Sequence, residues 1–277
     1  MPYQVGHLFQ ETCKGLLPVS RDLAQREAEL IFKEVLSISR STLYTSFKAT
    51  LSANHQKNIL NFTKERLSGK PLAYILGASG FYSKTFFVSK DVLIPRPDTE
   101  IVIEEIVKNE PAGPCLFLDI GTGSGNIAES LCGIRPQWNA IATDVSMPSL
   151  QVAKKNCSPR IILVCCDKLF AFKKHFTVDF IVSNPPYISK KEMKNLDPSV
   201  KDHEPALALY GGEDGLDFYR YLALHSRGLL KSCGWIYCEI GFTQGMACTA
   251  IFENAGWNNI SIANDLASRP RVIRAQK

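Results

Sequence analysis

The sequence predicts an α/β protein in which a seven-stranded, doubly wound sheet follows a small all-α amino-terminal domain, the two joined by a β-hairpin linker. Three observations carry this reading. From about residue 115 onward, short apolar runs alternate with helical stretches, as in a parallel sheet with crossover helices. Before residue 77 the periodicity is helical only. Between these regions lie short aromatic and β-branched runs. The expected domains are therefore 1–76, a hairpin linker at 77–94, and a sheet domain at 95–277.

In the first domain, Ser20 is expected to cap a helix carrying Leu23, Ala24, Ala28, Ile31 and Val35 on one face. Ser52 is expected to cap another carrying Ile59, Phe62 and Leu67, closed by Gly69 and Pro71. Gly80-Phe81-Tyr82 and Thr85-Phe86-Phe87-Val88 read as a hairpin turning at Ser83-Lys84. Alternating prolines stiffen Leu93-Ile94-Pro95-Arg96-Pro97-Asp98-Thr99-Glu100, where Asp98 or Thr99 can start a helix through Val107. Strands are expected at 116–120, 139–143, 161–165, 178–183, 235–239, 259–263 and 271–274. The last two leave no room for a crossover helix, so one of them should run antiparallel to its neighbours.

Composition narrows the function classes. A chain of 277 residues with 45% hydrophobic content can bury a full-sized core. No apolar run approaches the ~20 residues of a membrane span. The start Met1-Pro2-Tyr3-Gln4-Val5-Gly6-His7 lacks the features of a secretory signal, which places the expectation in the cytoplasm. Nine cysteines without a Cys-x-x-Cys pair read as small buried hydrophobes. His7, His55, His175, His203 and His225 are scattered, so no metal site is expected. The net charge of +5 is mild, and neither a stable nucleic-acid partner nor a membrane is expected; a monomer is.

The chemistry concentrates at strand ends, where doubly wound folds bind ligands. Asn184-Pro185-Pro186-Tyr187 closes the strand Val178-Asp179-Phe180-Ile181-Val182. An amide or exocyclic amine is a poor nucleophile because its lone pair is delocalised, so an enzyme alkylating one must hold the NH2 group in a fixed direction. The Asn184 side-chain carbonyl can accept one N–H. The following carbonyl, held by two residues locked near φ −65°, can accept the other. Tyr187 offers a flat face for stacking.

A cofactor site is expected at Asp119, Gly121, Thr122, Gly123, Ser124 and Gly125, a strand end running into a glycine loop and a helix start. The spacing G-x-G-x-G is neither the dinucleotide fingerprint nor a P-loop. Asp144 stands 21 residues after Gly123, at the end of the second strand, where a carboxylate can accept both ribose hydroxyls. Asp167 ends the third strand and could accept from an adenine amino group, with Lys168 beside it. Asp119 could orient either the loop or the amino-acid part of the cofactor. A ribose grip without a pyrophosphate site points to S-adenosylmethionine.

These residues resemble the release-factor glutamine methyltransferases. The likeness also takes in Arg66-Leu67, Gly69 and Pro71, Tyr74-Ile75 with Gly77, Leu93 to Glu100, Glu204-Pro205, Asp214-Gly215-Leu216, Glu239 with Gly241 and Gln244, and Asp265-Leu266 with Arg269. The resemblance implies an S-adenosylmethionine-dependent methyltransferase fold and methylation of the glutamine in class I peptide chain release factors. It further implies cofactor binding at Gly121 to Gly125 and Asp144, with Asn184 also next to the cofactor. Substrate glutamine binding and catalysis fall to Asn184, Pro185, Pro186 and Tyr187, and release-factor docking to the amino-terminal helices. The chain departs from the family at Lys168 and Leu169, before Phe170, where an aromatic residue often lies beside the adenine. It departs again at His203, where Phe is usual.

Competing readings are a methyltransferase acting on an exocyclic amine of a DNA or RNA base, which uses the same turn, and a non-catalytic scaffold. Glu204 and Glu239 are expected to be structural, because a methylated amide can release its proton to water without a strong base.

Overall fold

The computed structural model describes residues 3–173 and 176–277. The chain divides into two units, Met1–Gly77 with Pro198–His203, and Ala78–Asp197 with Glu204–Lys277.

The first unit is helical among its described residues, with helices Val5–Leu16, Ala24–Leu36, Arg40–Thr45, Ala53–Leu67 and Leu72–Leu76. Val5, Leu8, Phe9, Ala28, Ile31, Phe32, Leu43 and Ile59 form its core. Ser52 caps its helix by accepting from the His55 amide at 3.1 Å. Ser20 does not cap: the helix starts at Ala24 behind Leu23, and Leu23 is exposed. The chain makes a turn at Ser20, whose carbonyl accepts from the Leu23 amide. Arg66 holds the buried Glu27 through Nε at 2.9 Å and Nη2 at 3.2 Å.

The second unit opens with strands β1 (Ala78–Phe81) and β2 (Lys84–Phe87). Their turn is Tyr82-Ser83, one residue earlier than expected, with φ of 45° and 61°. That double left-handed geometry suits the twist of a two-residue hairpin, though neither residue advertises it. Phe81 and Phe86 join the core of this unit.

The seven expected strands follow: β3 (Cys115–Ile120), β4 (Trp138–Asp144), β5 (Ile161–Cys165), β6 (Val178–Ser183), β7 (Leu230–Glu239), β8 (Asn258–Asn264) and β9 (Pro270–Gln276). They form one sheet in the order β5-β4-β3-β6-β7-β9-β8. β3 to β7 are parallel, and β9 runs antiparallel between β7 and β8.

Both faces of the sheet are covered, which is why β3 and β6 are nearly unbroken apolar runs. On one face Val102, Ile103 and Ile106 of helix Glu100–Asn109, with Ile127 and Leu131 of Asn126–Ile134, pack on Phe117 and Phe180. Those two rings stack at 4.8 Å. On the other face Tyr219 and Leu222 of Asp217–His225, with Cys248 and Phe252 of Gly245–Asn254, cover Leu118, Ile181 and Ile236. The order reverses at β3, with β4 on one side and β6 on the other, so the crevice opens beyond the carboxyl ends of β3 and β6.

No helix among the described residues is long and apolar enough to cross a membrane.

Candidate active site

Strand register builds the site. Ile120 pairs with Ser183 across β3 and β6, and with Thr143 across β3 and β4, while Asp144 pairs with Cys165. The residues that leave these strands therefore stand side by side: Asn184, Gly121, Asp144 and, one residue past Cys166, Asp167. All four line one cleft of about 410 Å³, together with Thr122, Gly123, Ser124, Lys168 and Pro186. A cavity of this size suits a nucleoside-sized ligand.

The glycine loop is pinned to the sheet, since the Gly121 and Thr122 amides both donate to the Thr143 carbonyl, at 2.9 and 2.8 Å. Gly123 takes φ 54° and would meet nothing with an added Cβ, so its backbone fronts open space. Gly125 lies off the cleft. With φ 80°, its missing Cβ would fall 2.4 Å from Cys157 Sγ, so this glycine serves close packing at the start of helix Asn126–Ile134.

Asp119 supports the loop from below. It is fully buried beneath the loop, outside the lining, and its Oδ2 accepts from Thr122 Oγ1 at 2.6 Å. Burial pushes its carboxyl up to about 7, offset only in part by the Thr122 bond. Its contact with Thr122 braces the loop, the first of the two roles the sequence allowed it.

Asp144 does line the cleft. Its Oδ2 accepts from the Gly123 amide at 3.0 Å and its Oδ1 from the Ser146 amide at 2.9 Å. Burial raises its carboxyl, and the Ser146, Gly123 and Val145 amides oppose the shift. A carboxylate has about four lone-pair sites in all, so acceptor capacity remains for a ribose hydroxyl.

Lys168 takes a left-handed φ of 49°, and its ammonium lies 4.7 Å from the centre of the Tyr221 ring. Phe170, the other residue expected near an adenine, is exposed and lies outside the lining. Phe218 lines the wall beside Lys168 instead. These features fit S-adenosylmethionine: paired acceptors at Asp144, an unobstructed glycine backbone, a carboxylate at Asp167 and an aromatic wall.

The Asn-Pro-Pro-Tyr turn is only partly in the cleft. Asn184 and Pro186 line it, whereas Pro185 is buried and Tyr187 packs into the core, so Tyr187 presents no stacking face there. Its hydroxyl donates to Glu239 Oε1 at 3.4 Å. Glu239 is itself buried, and its Oε2 accepts from Thr99 Oγ1 at 2.5 Å. Thr99 in turn accepts from Asn184 Nδ2 at 3.0 Å. Burial pushes Glu239 up to about 7.

Glu204 is buried too. It accepts from the Ile94 amide at 3.2 Å and pairs with Arg96, which lines the cleft and is thereby held in place.

Among residues that sequence reasoning passed over, Thr99 was visible only as a helix start, and Phe218 carries no local signal. His175, one of the histidines weighed for metal binding, lies outside the described residues. Among those described, no group of three or more His, Cys, Asp or Glu is placed to hold a metal.

Comparison with known proteins shows the family. Residues 8–77 match the PrmC N-terminal domain, and residues 97–199 match the methyltransferase small domain. The release factor glutamine methyltransferase of Francisella tularensis is 37% identical over 261 residues, spanning 91% of this chain and 90% of that protein. That of Coxiella burnetii is 35% identical, covering 91% of each chain. A bifunctional methyltransferase of Rickettsia prowazekii is 34% identical over 99% of this chain, which spans only 57% of that relative's length. Among solved structures, a methyltransferase from Pyrococcus furiosus superposes with a TM-score of 0.54 at 17% identity, covering 78% of this chain and 98% of that one. At that identity the likeness is one of fold.

Proposed function

Since the chain belongs to the release factor glutamine methyltransferase family, we propose that it methylates the side-chain amide nitrogen of the glutamine in the Gly-Gly-Gln motif of class I peptide chain release factors. S-adenosylmethionine, when bound, supplies a methyl already activated by its sulfonium. The observation that carries the reading is the pairing of Ile120 with Ser183, which sets Gly121 and Asn184 beside one another in a single cleft.

Asp144 would accept from the ribose hydroxyls, the Gly121 to Gly123 backbone would lie against the cofactor, and Asp167 would accept from its adenine amino group, with Lys168 and Phe218 beside it. Asn184 accepts one N–H of the glutamine amide through Oδ1, and the Pro185 carbonyl accepts the other. This fixes the nitrogen lone pair toward the methyl. The N–CH3 bond forms as the S–CH3 bond breaks, and the amide proton leaves to water. Holding the nitrogen ~3 Å from the methyl carbon removes orientational freedom, a term that can supply several kcal/mol. Tyr187 braces the turn through Glu239. The protein acts as a cytoplasmic monomer, and its amino-terminal helices dock the release factor.

The test is incubation with methyl-labelled S-adenosylmethionine and, separately, a class I release factor, total DNA and total RNA. Label on the release factor alone, lost when its glutamine is changed to alanine, is expected. Label on nucleic acid instead would overturn the substrate. Asn184→Ala should lower turnover on the order of 10²-fold or more, and full activity in that variant would remove Asn184 from the mechanism.

A further inference from the structure

Resting on that reading of Asn184, we infer that Thr99 and Glu239 are positioning residues which decide which face of the Asn184 amide meets the substrate. The three side chains come from distant places, Thr99 being 85 residues from Asn184 and 140 from Glu239. A carboxylate has no hydrogen to give, so the single hydroxyl hydrogen of Thr99 goes to Glu239 Oε2. The Thr99 oxygen can then only accept, and what it accepts is an Asn184 Nδ2 hydrogen. That commits the NH2 end of Asn184 to the protein and leaves Oδ1, the acceptor, for an incoming amide N–H.

A second observation separates this arrangement from an ordinary helix start. Thr99 stands at the N-cap position of helix Glu100–Asn109, yet its side chain makes no capping bond. Its hydroxyl is spent on Glu239 and Asn184, inside a side chain that is almost wholly buried. The other oxygen of Glu239 takes the Tyr187 hydroxyl, so one carboxylate holds both ends of the Asn-Pro-Pro-Tyr turn.

Protonation reverses the chain of donors. A neutral Glu239 can donate to Thr99, which frees the Thr99 hydrogen for Asn184 Oδ1 and lets the amide turn its NH2 group to the cleft. Two donors then face each other, and the substrate amide loses its acceptor. The groups facing Glu239 are Thr99 and Tyr187 by hydrogen bond, and Arg271 and Asp98 by charge; the Tyr219 hydroxyl donates to its backbone carbonyl at 2.8 Å. Burial in this setting holds the carboxyl at about 7, within reach of ordinary assay conditions.

The experiment has two arms on the full chain. In the first, Thr99→Val, which keeps shape and removes the hydroxyl, should lower kcat roughly 10- to 100-fold with cofactor affinity unchanged, as expected for a misplaced reacting group. Thr99→Ser should recover most of the loss. In the second arm, the Asn184 side-chain NH2 resonance is identified in 15N spectra of the cofactor-free protein by its absence in Asn184→Ala. It should shift as pH crosses the Glu239 titration in the wild type and stay still in Glu239→Gln.

Wild-type turnover in Thr99→Val, or an Asn184 resonance indifferent to both pH and Glu239→Gln, would overturn the inference. A wild-type protein that leaves release factors unlabelled would sink the proposed function, while the resonance arm, which needs neither substrate nor Thr99→Val, would still judge the positioning.

Discussion

Ser183 Oγ donates to the Ile120 carbonyl at 2.7 Å, tying together the last residues of two neighbouring parallel strands. Ile120 leads into the glycine loop and Ser183 into Asn184, so this one bond couples the cofactor end of the cleft to the amide-holding end. Ladder hydrogen bonds alone fix the strands, but their outermost pairs fray first. A side-chain clamp at the final pair keeps the two loops in register where a small displacement would matter for in-line transfer.

Ser183→Ala should therefore cost more in catalysis than in stability. Losing one net hydrogen bond is worth about 1 kcal/mol, which denaturant unfolding would report as a modest shift in midpoint. The turnover number should fall by a larger factor than that loss implies at temperatures where the protein remains folded. Equal and small effects on both would mean that the ladder suffices.

Gly125→Ala should destabilise by about 2–4 kcal/mol, combining a left-handed backbone with a Cβ that overlaps its neighbour. The overlap is with Cys157 Sγ, at 2.4 Å, so adding Cys157→Ala should recover part of the loss, leaving the backbone share. Thermal unfolding of the single and double variants separates the two. No recovery would mean that the cost is entirely one of φ.

How much of this was legible in the sequence follows from how local each signal is. The seven sheet strands were readable because strands buried on both faces are continuous apolar runs. The start of β7 was not, since Lys231-Ser232-Cys233 breaks the run although the strand continues through it. The hairpin turn was displaced because Tyr82 adopts a conformation usually left to glycine. Asp144 and Asn184 could be placed from the strand each one ends. Thr99, Phe218 and the burial of Tyr187 could not, because their roles depend on partners from other strands and helices. Asp119 could be read either as orienting the loop or as facing the cofactor, and its depth under the loop, with its bond to Thr122, fits the first.

Asp144→Asn should weaken S-adenosylmethionine binding by about tenfold to a hundredfold, the equivalent of roughly 1.5–3 kcal/mol for hydrogen bonds to a charged group. An amide there keeps the shape but turns one end into a donor, which must face either the Gly123 or Ser146 amide or a ribose hydroxyl. Calorimetric titration of the folded variant measures this directly. An unchanged Kd would place the ribose elsewhere in the cleft.

Stability should fall as pH rises through the neutral range, and Asp119 should account for part of the fall. Its carboxyl is raised by burial from 3.8 to about 7, so between those values the folded protein holds a proton that the unfolded chain has released. Stability declines with pH wherever the native state binds more protons. The contribution is fully present below the unfolded value and is lost as pH passes through about 7. Glu239, raised to about 7 for the same reason, adds to the slope. Urea unfolding of the cofactor-free protein between pH 5 and about 8 should show the decline, and Asp119→Asn should flatten it without abolishing it, because Glu239 still titrates. An Asp119→Asn profile as steep as the wild type's would mean that the loop opens to hydrate Asp119, and the brace beneath Thr122 would then be looser than its 2.6 Å bond suggests.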